Sequence, residues 1–281
     1  MFRKSYVPVF AVILIIFFSF TGFSSSVSLK HYKSAVVFDP QQTEFLFEDH
    51  AHDRVIPASL VKMMVLLVAM EKAEKKEIRL TDRYQVSSKA SKIGGHQVFL
   101  KEGETFEIQE LLKAIIMGSA NDATFGVCEH IAGSQEDFVK LMNKRAVELG
   151  MKDTVFANVH GLPPDKNKGQ EENYSSAHDM AILAKALVSY PFVLKYSSSR
   201  LDSFRNGSFQ LLNTNHSFLK SFDGADGLKT GYHPRGAGFS MVGTAVRNGK
   251  RLISVVMGSP SARDRLKAST SLLEAAFSEK I

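Results

Sequence analysis

Three short clusters of polar residues have types and spacings that could do chemistry together. Ser59-Leu60-Val61-Lys62 sets an amine three residues after a hydroxyl. Ser119-Ala120-Asn121 adds a second hydroxyl and an amide, and Lys229-Thr230-Gly231 adds a second amine. Together they supply a nucleophile with a nearby base, a polar relay and a cationic strand edge. That is the equipment of acyl transfer by a serine in which lysine does the work of histidine. Each piece is weak alone. An S-x-x-K match arises by chance roughly once in a chain of this length. It occurs twice here, the second time as Ser217-Phe218-Leu219-Lys220.

Context separates the two copies. Ser59 follows Pro57-Ala58 and opens the run Leu60 to Met70, in which every residue except Lys62 is apolar or Ala. The run continues into Glu71-Lys72-Ala73-Glu74-Lys75-Lys76, a strong helix-forming tail. A helix that is apolar all round is a buried one, and Pro57 suits its first turn. Ser59 is then expected near the helix N-terminus, where free backbone N–H groups stabilise negative charge. Lys62 shares its face. Desolvation favours a neutral amine, which can accept the proton of Ser59. The same segment also fits a lysine that snorkels to the surface and a serine that only caps the helix. Ser217 has no such helix; its segment reads as an irregular loop and the match as chance.

The elements that must position these clusters are legible in outline. Ala35-Val36-Val37-Phe38 and Glu44-Phe45-Leu46-Phe47 flank Asp39-Pro40-Gln41-Gln42 and read as a hairpin. Ile108 to Met117 reads as a helix ending at Gly118, followed by the Ser119-Ala120-Asn121 link and a helix from Asp122 to Ala132. Ser134-Gln135-Glu136-Asp137 and Ser176-Ala177-His178-Asp179 resemble capping boxes for helices ending near Gly150 and Ser189. Asn206-Gly207 and Asn248-Gly249 are hairpin turns within Arg200–Leu212 and between Phe239–Val246 and Leu252–Met257. A last helix runs from about Ser261 to Phe277. Strands at both ends with helices between predict a mixed α+β fold: an antiparallel sheet built from both termini and packed by helices.

The chain has 281 residues, 44% hydrophobic and 23% charged, as expected of a globular protein. Arg3-Lys4 precede an apolar stretch over Val7–Phe20, no charge falls between Lys4 and Lys30, and Ser24-Ser25-Ser26 form a cleavage region. This reads as an export signal over residues 1–26, cleaved in preference to retained as an anchor. No Cys lies near it, which excludes a lipoprotein. Losing Arg3 and Lys4 takes the formal charge from +6 to +4. That mild bias suits an anionic envelope and, without a basic-aromatic cluster, gives no argument for nucleic acid. Cys128 is the single cysteine, so no intrachain disulfide forms, and it reads as a packing residue. His50-Ala51-His52-Asp53 looks like a metal motif but lacks further ligands at metal spacing; no metal or other cofactor is expected.

The residues around the motifs say more than the motifs. Ile56 to Met64 resembles the nucleophile segment of the D-alanyl-D-alanine carboxypeptidases, the low-molecular-mass penicillin-binding proteins. Phe99-Leu100-Lys101-Glu102-Gly103-Glu104, Leu111-Leu112-Lys113, Ser119 to Ala123, Asn158-Val159-His160-Gly161-Leu162, Tyr174 to Met180 and Asp226 to Tyr232 match in family order. The similarity covers about residues 33–278. It implies a β-lactamase/transpeptidase-like fold over residues 27–281, with a helical lobe and the site between lobe and sheet. It implies Ser59 as nucleophile on the terminal D-Ala-D-Ala bond of peptidoglycan stem peptides, with Lys62 as its base. Ser119 with Lys229 would relay a proton to the leaving amine. Asn121 would hold the substrate amide and orient Lys62. The N–H groups of Ser59 and Tyr232 would form the oxyanion hole, and Thr230, beside Gly231, would help bind the terminal carboxylate. β-Lactams would be covalent inhibitors, and the protein would act outside the cytoplasm.

Two departures stand out. Ala120 replaces a glycine common in the family, and counting back from Lys229 places Thr214 where some relatives carry a carboxylate-binding arginine. Arg235 is a second guess for that role. Many relatives continue into a β-rich domain and a membrane anchor. This chain stops soon after the catalytic unit, so no C-terminal β domain is expected and membrane contact falls to the leader. A β-lactamase needs a deacylating glutamate, and Phe156–Asn167 has none; Glu171 and Glu172 come later without the right spacing. A murein endopeptidase with the same motifs remains an alternative. So does a non-catalytic peptidoglycan-binding protein, although intact Ser59, Lys62, Ser119 and Lys229 argue against it.

Overall fold

The computed structural model describes Phe2, residues 31–165, Asn167 and residues 169–281. The leader read over residues 1–26 lies outside the described residues but for Phe2. The hairpin is β1 (Ser34–Asp39) and β2 (Glu44–Asp49). A 3-10 turn (Ala58–Val61) leads into α1 (Lys62–Glu74), then come β3 (Arg83–Gln85), the one-turn α2 (Ser88–Ser91) and β4 (Thr105–Glu107). α3 (Ile108–Gly118), α4 (Asn121–Ala132), α5 (Gln135–Glu148), α6 (Ala177–Leu187) and α7 (Pro191–Ser197) complete the helical lobe. A hairpin of β5 (Leu201–Phe204) and β6 (Phe209–Leu212) and a short α8 (His216–Ser221) precede the long strands β7 (Ala225–His233), β8 (Gly238–Arg247) and β9 (Lys250–Ser259). α9 (Ala262–Phe277) follows them.

The main sheet has the order β2-β1-β9-β8-β7, with antiparallel pairing throughout. The strand at the chain's start is therefore paired with a strand at its end, as the sequence predicts. Side chains alternate across a strand. Val36 and Phe38 face one cluster with α1, α3 and α6; Ala35 and Val37 face another with Phe218, Leu272 and Leu273 of α8 and α9. Both faces of β1 are thus covered, which is why all six of its residues are buried. α1 is the axis of the larger cluster: residues 62–70 are all buried. Each large apolar side chain buried there contributes about 1.5–3 kcal/mol, so the segment carrying Ser59 is anchored by its own tail.

Several local expectations need correction. Ser59 lies in a 3-10 turn, with Leu60 N–H donating to the Pro57 carbonyl at 3.1 Å, and the α-helix begins at Lys62. α4 starts at Asn121, one residue earlier than expected. The Ser217 segment is a short helix and no irregular loop. β3, β4, α2 and α7 were not foreseen, because elements of three to seven residues carry too few positions to show a period.

The candidate active site

The nucleophile turn is held from three sides. α1 anchors it from below. β7 crosses it at Gly231, where a Cβ would come within 2.7 Å of the Pro57 carbonyl oxygen. The loop 158–162 presses on it at Gly161, where a Cβ would lie 2.1 Å from the Ala58 carbonyl oxygen. Gly161 also has φ +78°, a region open to glycine and costly for other residues. Ala58 itself sits at φ +48°, so the backbone just before Ser59 is strained, as functional turns often are.

Lys62 is 0% exposed, and its Nζ lies 2.9 Å from Ser59 Oγ. It does not snorkel. Nζ donates a second bond, 2.5 Å, to the carbonyl of His160. That carbonyl is fixed by its loop: Asn158 Oδ1 accepts the N–H groups of His160 and Gly161, and His160 Nδ1 accepts from Leu162 N–H. Burial, and then the charge of Lys229, hold the Lys62 amine well below the usual lysine range. Burial and the Lys62 charge push the His160 imidazole down to about 3, so it is neutral.

The middle cluster sits at a helix junction. Ser119 ends α3 in the left-handed conformation (φ +56°), and Asn121 opens α4. Ser119 Oγ is buried and has no hydrogen-bond partner. Asn121 Nδ2 donates to the Gly94 carbonyl at 2.7 Å, while its Oδ1 is buried without a partner. Asp122 accepts from the N–H groups of Val98 and Leu100, which ties the loop bearing Gly95 and His96 to α4. Polar atoms left unpaired in a buried place cost free energy and point to a missing partner such as substrate.

On β7, Lys229 is 1% exposed, with Nζ donating to the Thr230 carbonyl at 3.1 Å. Burial, and then Arg265, lower its amine to about 7. β7 pairs only with β8 in the described sheet, so its other edge is open to an extended peptide. A cleft of about 650 Å³ runs beside it, and Ser59, Ser119, Asn121, Thr230, Gly231 and Tyr232 line it. Lys62 and Lys229 lie behind that lining. All eight residues singled out in the sequence therefore meet in one place.

The structure adds residues that the motifs did not name. Thr214 lines the cleft, as the count from Lys229 suggests, and its Oγ1 is buried without a partner. Arg265 of α9 lines it too, with Nε unpartnered and its guanidinium lowered to about 10 by burial. Arg235 is not in this cleft; it lines a neighbouring groove, which also takes Glu171 and Glu172. His96 lines the cleft, and burial, Lys229 and Lys62 depress its imidazole. Arg265 carried only the signal of a capped helix start at Ser261 and Asp264, and His96 only a Gly-Gly loop before it.

Elsewhere, Cys128 is a fully buried packing residue of α4. His52 pairs with Asp153 and His50 with Asp53, and among the described residues no group of three possible ligands is placed to hold a metal.

The profile described as D-alanyl-D-alanine carboxypeptidase matches residues 23–261. The chain belongs to that family. It is 39% identical over 250 residues to the D-alanyl-D-alanine carboxypeptidase DacF of Bacillus subtilis, covering 88% of this chain and 62% of the relative. It is 35% identical over 248 residues to DacC of Escherichia coli, covering 86% and 60%. The chain thus spans about three fifths of the length of these curated relatives. Penicillin-binding protein D2 of Listeria monocytogenes, solved with ampicillin bound, superposes with a TM-score of 0.78 at 31% identity, over 88% of this chain and 97% of that one. The expected mixed fold of antiparallel sheet and helices is the fold of these neighbours.

Proposed function

We propose that this chain is a serine D-Ala-D-Ala carboxypeptidase that removes the terminal D-alanine from peptidoglycan stem peptides outside the cytoplasm. The observation that carries this reading is the 2.9 Å contact between Ser59 Oγ and a lysine that is 0% exposed. A buried amine prefers its neutral form, and a neutral Lys62 accepts the Ser59 proton as Oγ attacks the scissile carbonyl. The oxyanion forms against the N–H groups of Ser59 and Tyr232. Ser59 occupies a first helical turn, where N–H groups have no intrahelical acceptor. The C–N bond then breaks, and Ser119, backed by Lys229, delivers a proton to the leaving D-alanine amine. Asn121 holds the amide of the residue before the bond. Water attacks the acyl-enzyme and restores Ser59.

The terminal carboxylate meets Thr230 and Lys229, and Arg265 supplies the cation that the count from Lys229 leaves missing at Thr214. A β-lactam acylates Ser59 in the same pose. The absence of glutamate from residues 156–167 and the place of Glu171 and Glu172 outside the cleft favour slow deacylation over β-lactamase action. The leader directs export and residues 27–281 form the catalytic domain.

The test is D-alanine release from a peptide ending in Lys-D-Ala-D-Ala, with Ser59→Ala as control. Release by the parent alone supports the reading. A folded parent that releases none, but cleaves cross-linked muropeptides, would replace it with an endopeptidase.

A further inference from the structure

The groove that holds Arg235 is larger than the catalytic cleft, about 970 Å³, and the two share Pro163 as a common wall. Its apolar floor is Ile56, Val155 and Tyr174, and the last two are partly exposed, at 42% and 40%. Arg235 stands on one side, exposed and, among the described residues, without an ion-pair partner. Asp165, Glu171 and Glu172 line the same groove. Two residues before Arg235 in the chain, His233 lines the catalytic cleft; it is 6% exposed and, among the described residues, neither ring nitrogen has a hydrogen-bond partner. A buried imidazole without a partner, on the strand end that leads from the cleft to Arg235, is a place for a polar ligand.

We infer that this groove binds the acyl-side portion of the stem peptide, with Arg235 pairing to a carboxylate that precedes the scissile bond. The inference rests on the carboxypeptidase reading. With the terminal carboxylate at Lys229 and Thr230 and the scissile carbonyl at Tyr232, the peptide runs antiparallel to β7. Its N-terminal part then leaves along Tyr232 to Arg235. An extended strand rises about 3.4 Å per residue, so a residue two places before the scissile D-alanine lies roughly 7 Å on. A γ-linked glutamyl residue adds two backbone atoms and leaves its α-carboxylate free, which brings an anion level with Arg235.

The test uses the full chain and two pentapeptides, L-Ala-γ-D-Glu-L-Lys-D-Ala-D-Ala and the same peptide with the α-carboxylate amidated. The parent should favour the free carboxylate by about twofold to fivefold in kcat/KM, the range of one exposed charge pair. Arg235→Ala should bring that ratio to about one through KM, and Arg235→Lys should restore part of it. Melting temperatures of the variants within a degree or two of the parent would confirm folding. A parent that does not discriminate, or an Arg235→Ala variant that keeps the preference, overturns the groove assignment while D-alanine release leaves the carboxypeptidase reading standing. No release from either peptide by a folded parent overturns both.

Discussion

Ser59-Leu60-Val61-Lys62 and Ser217-Phe218-Leu219-Lys220 each place a lysine one helical turn after a serine. In the first, the lysine is fully buried, 2.9 Å from the hydroxyl, and held by the His160 carbonyl. In the second, Phe218 takes the buried position and packs on the outer face of the sheet, so Ser217 and Lys220 are both exposed. Ser217 Oγ lies 3.2 Å from the ring of its neighbour His216 and, among the described residues, makes no hydrogen bond to Lys220. Spacing permits a contact in both segments. What turns the spacing into chemistry is the side of the helix that the apolar neighbours drag inward, and the loop and strand packed over it.

The largest expected effect is loss of the nucleophile. Ser59→Ala should abolish covalent labelling by a fluorescent penicillin, a fall on the order of 10⁴-fold or more, while Ser217→Ala labels like the parent. Labelling that survives in Ser59→Ala would dissolve the contrast. Next is the base. Arginine stays protonated, so Lys62→Arg should slow acylation at least about 100-fold, measured by stopped-flow with a chromogenic cephalosporin. Lys220→Arg should leave the rate unchanged.

A third change sharpens the contrast by removing the packing and keeping the motif. Gly161→Ala would drive a Cβ into the Ala58 carbonyl at a positive φ. It should cost on the order of 2–3 kcal/mol and slow acylation, read as a lower denaturation midpoint and labelling rate. Unchanged values would show that the loop does not hold the turn.

The smallest effect is on pH-dependent stability. The Lys229 amine is lowered in the fold from 10.5 to about 7. Between those values the unfolded chain binds more protons than the folded one, so stability should rise as pH increases from about 7 to about 10. Lys229→Met should flatten that rise, by a few kcal/mol at most. Urea midpoints at a series of pH values would decide; a parent and variant with parallel curves would put a solvated ammonium at Lys229.

These contrasts also mark what the residues disclosed before the fold was known. Lys62 was legible because a single charge in eleven otherwise apolar or alanine positions has few explanations. The sheet was legible because paired apolar runs lie at both ends of the chain, around Asp39-Pro40-Gln41-Gln42 and around Asn248-Gly249. Arg265 and His160 were opaque for a different reason. One acts from a helix that passes the cleft, the other through a backbone carbonyl, whose position no side-chain type reports. Arg235 was read as a candidate for the catalytic cleft because proximity in sequence to Lys229 was mistaken for proximity in space; the turn after His233 carries it into the next groove.

The pairing of β1 with β9 sets Ser34 opposite Met257. The first strand of the sheet therefore waits for the last of the described strands before either is complete. A chain made from its N-terminus has its helical segments and the Ser59 turn long before it has the sheet that buries them. Contacts so distant along the chain close slowly. β7, which crosses the Ser59 turn at Gly231, is made long after that turn, so the nucleophile is complete only once a distant strand has packed over it.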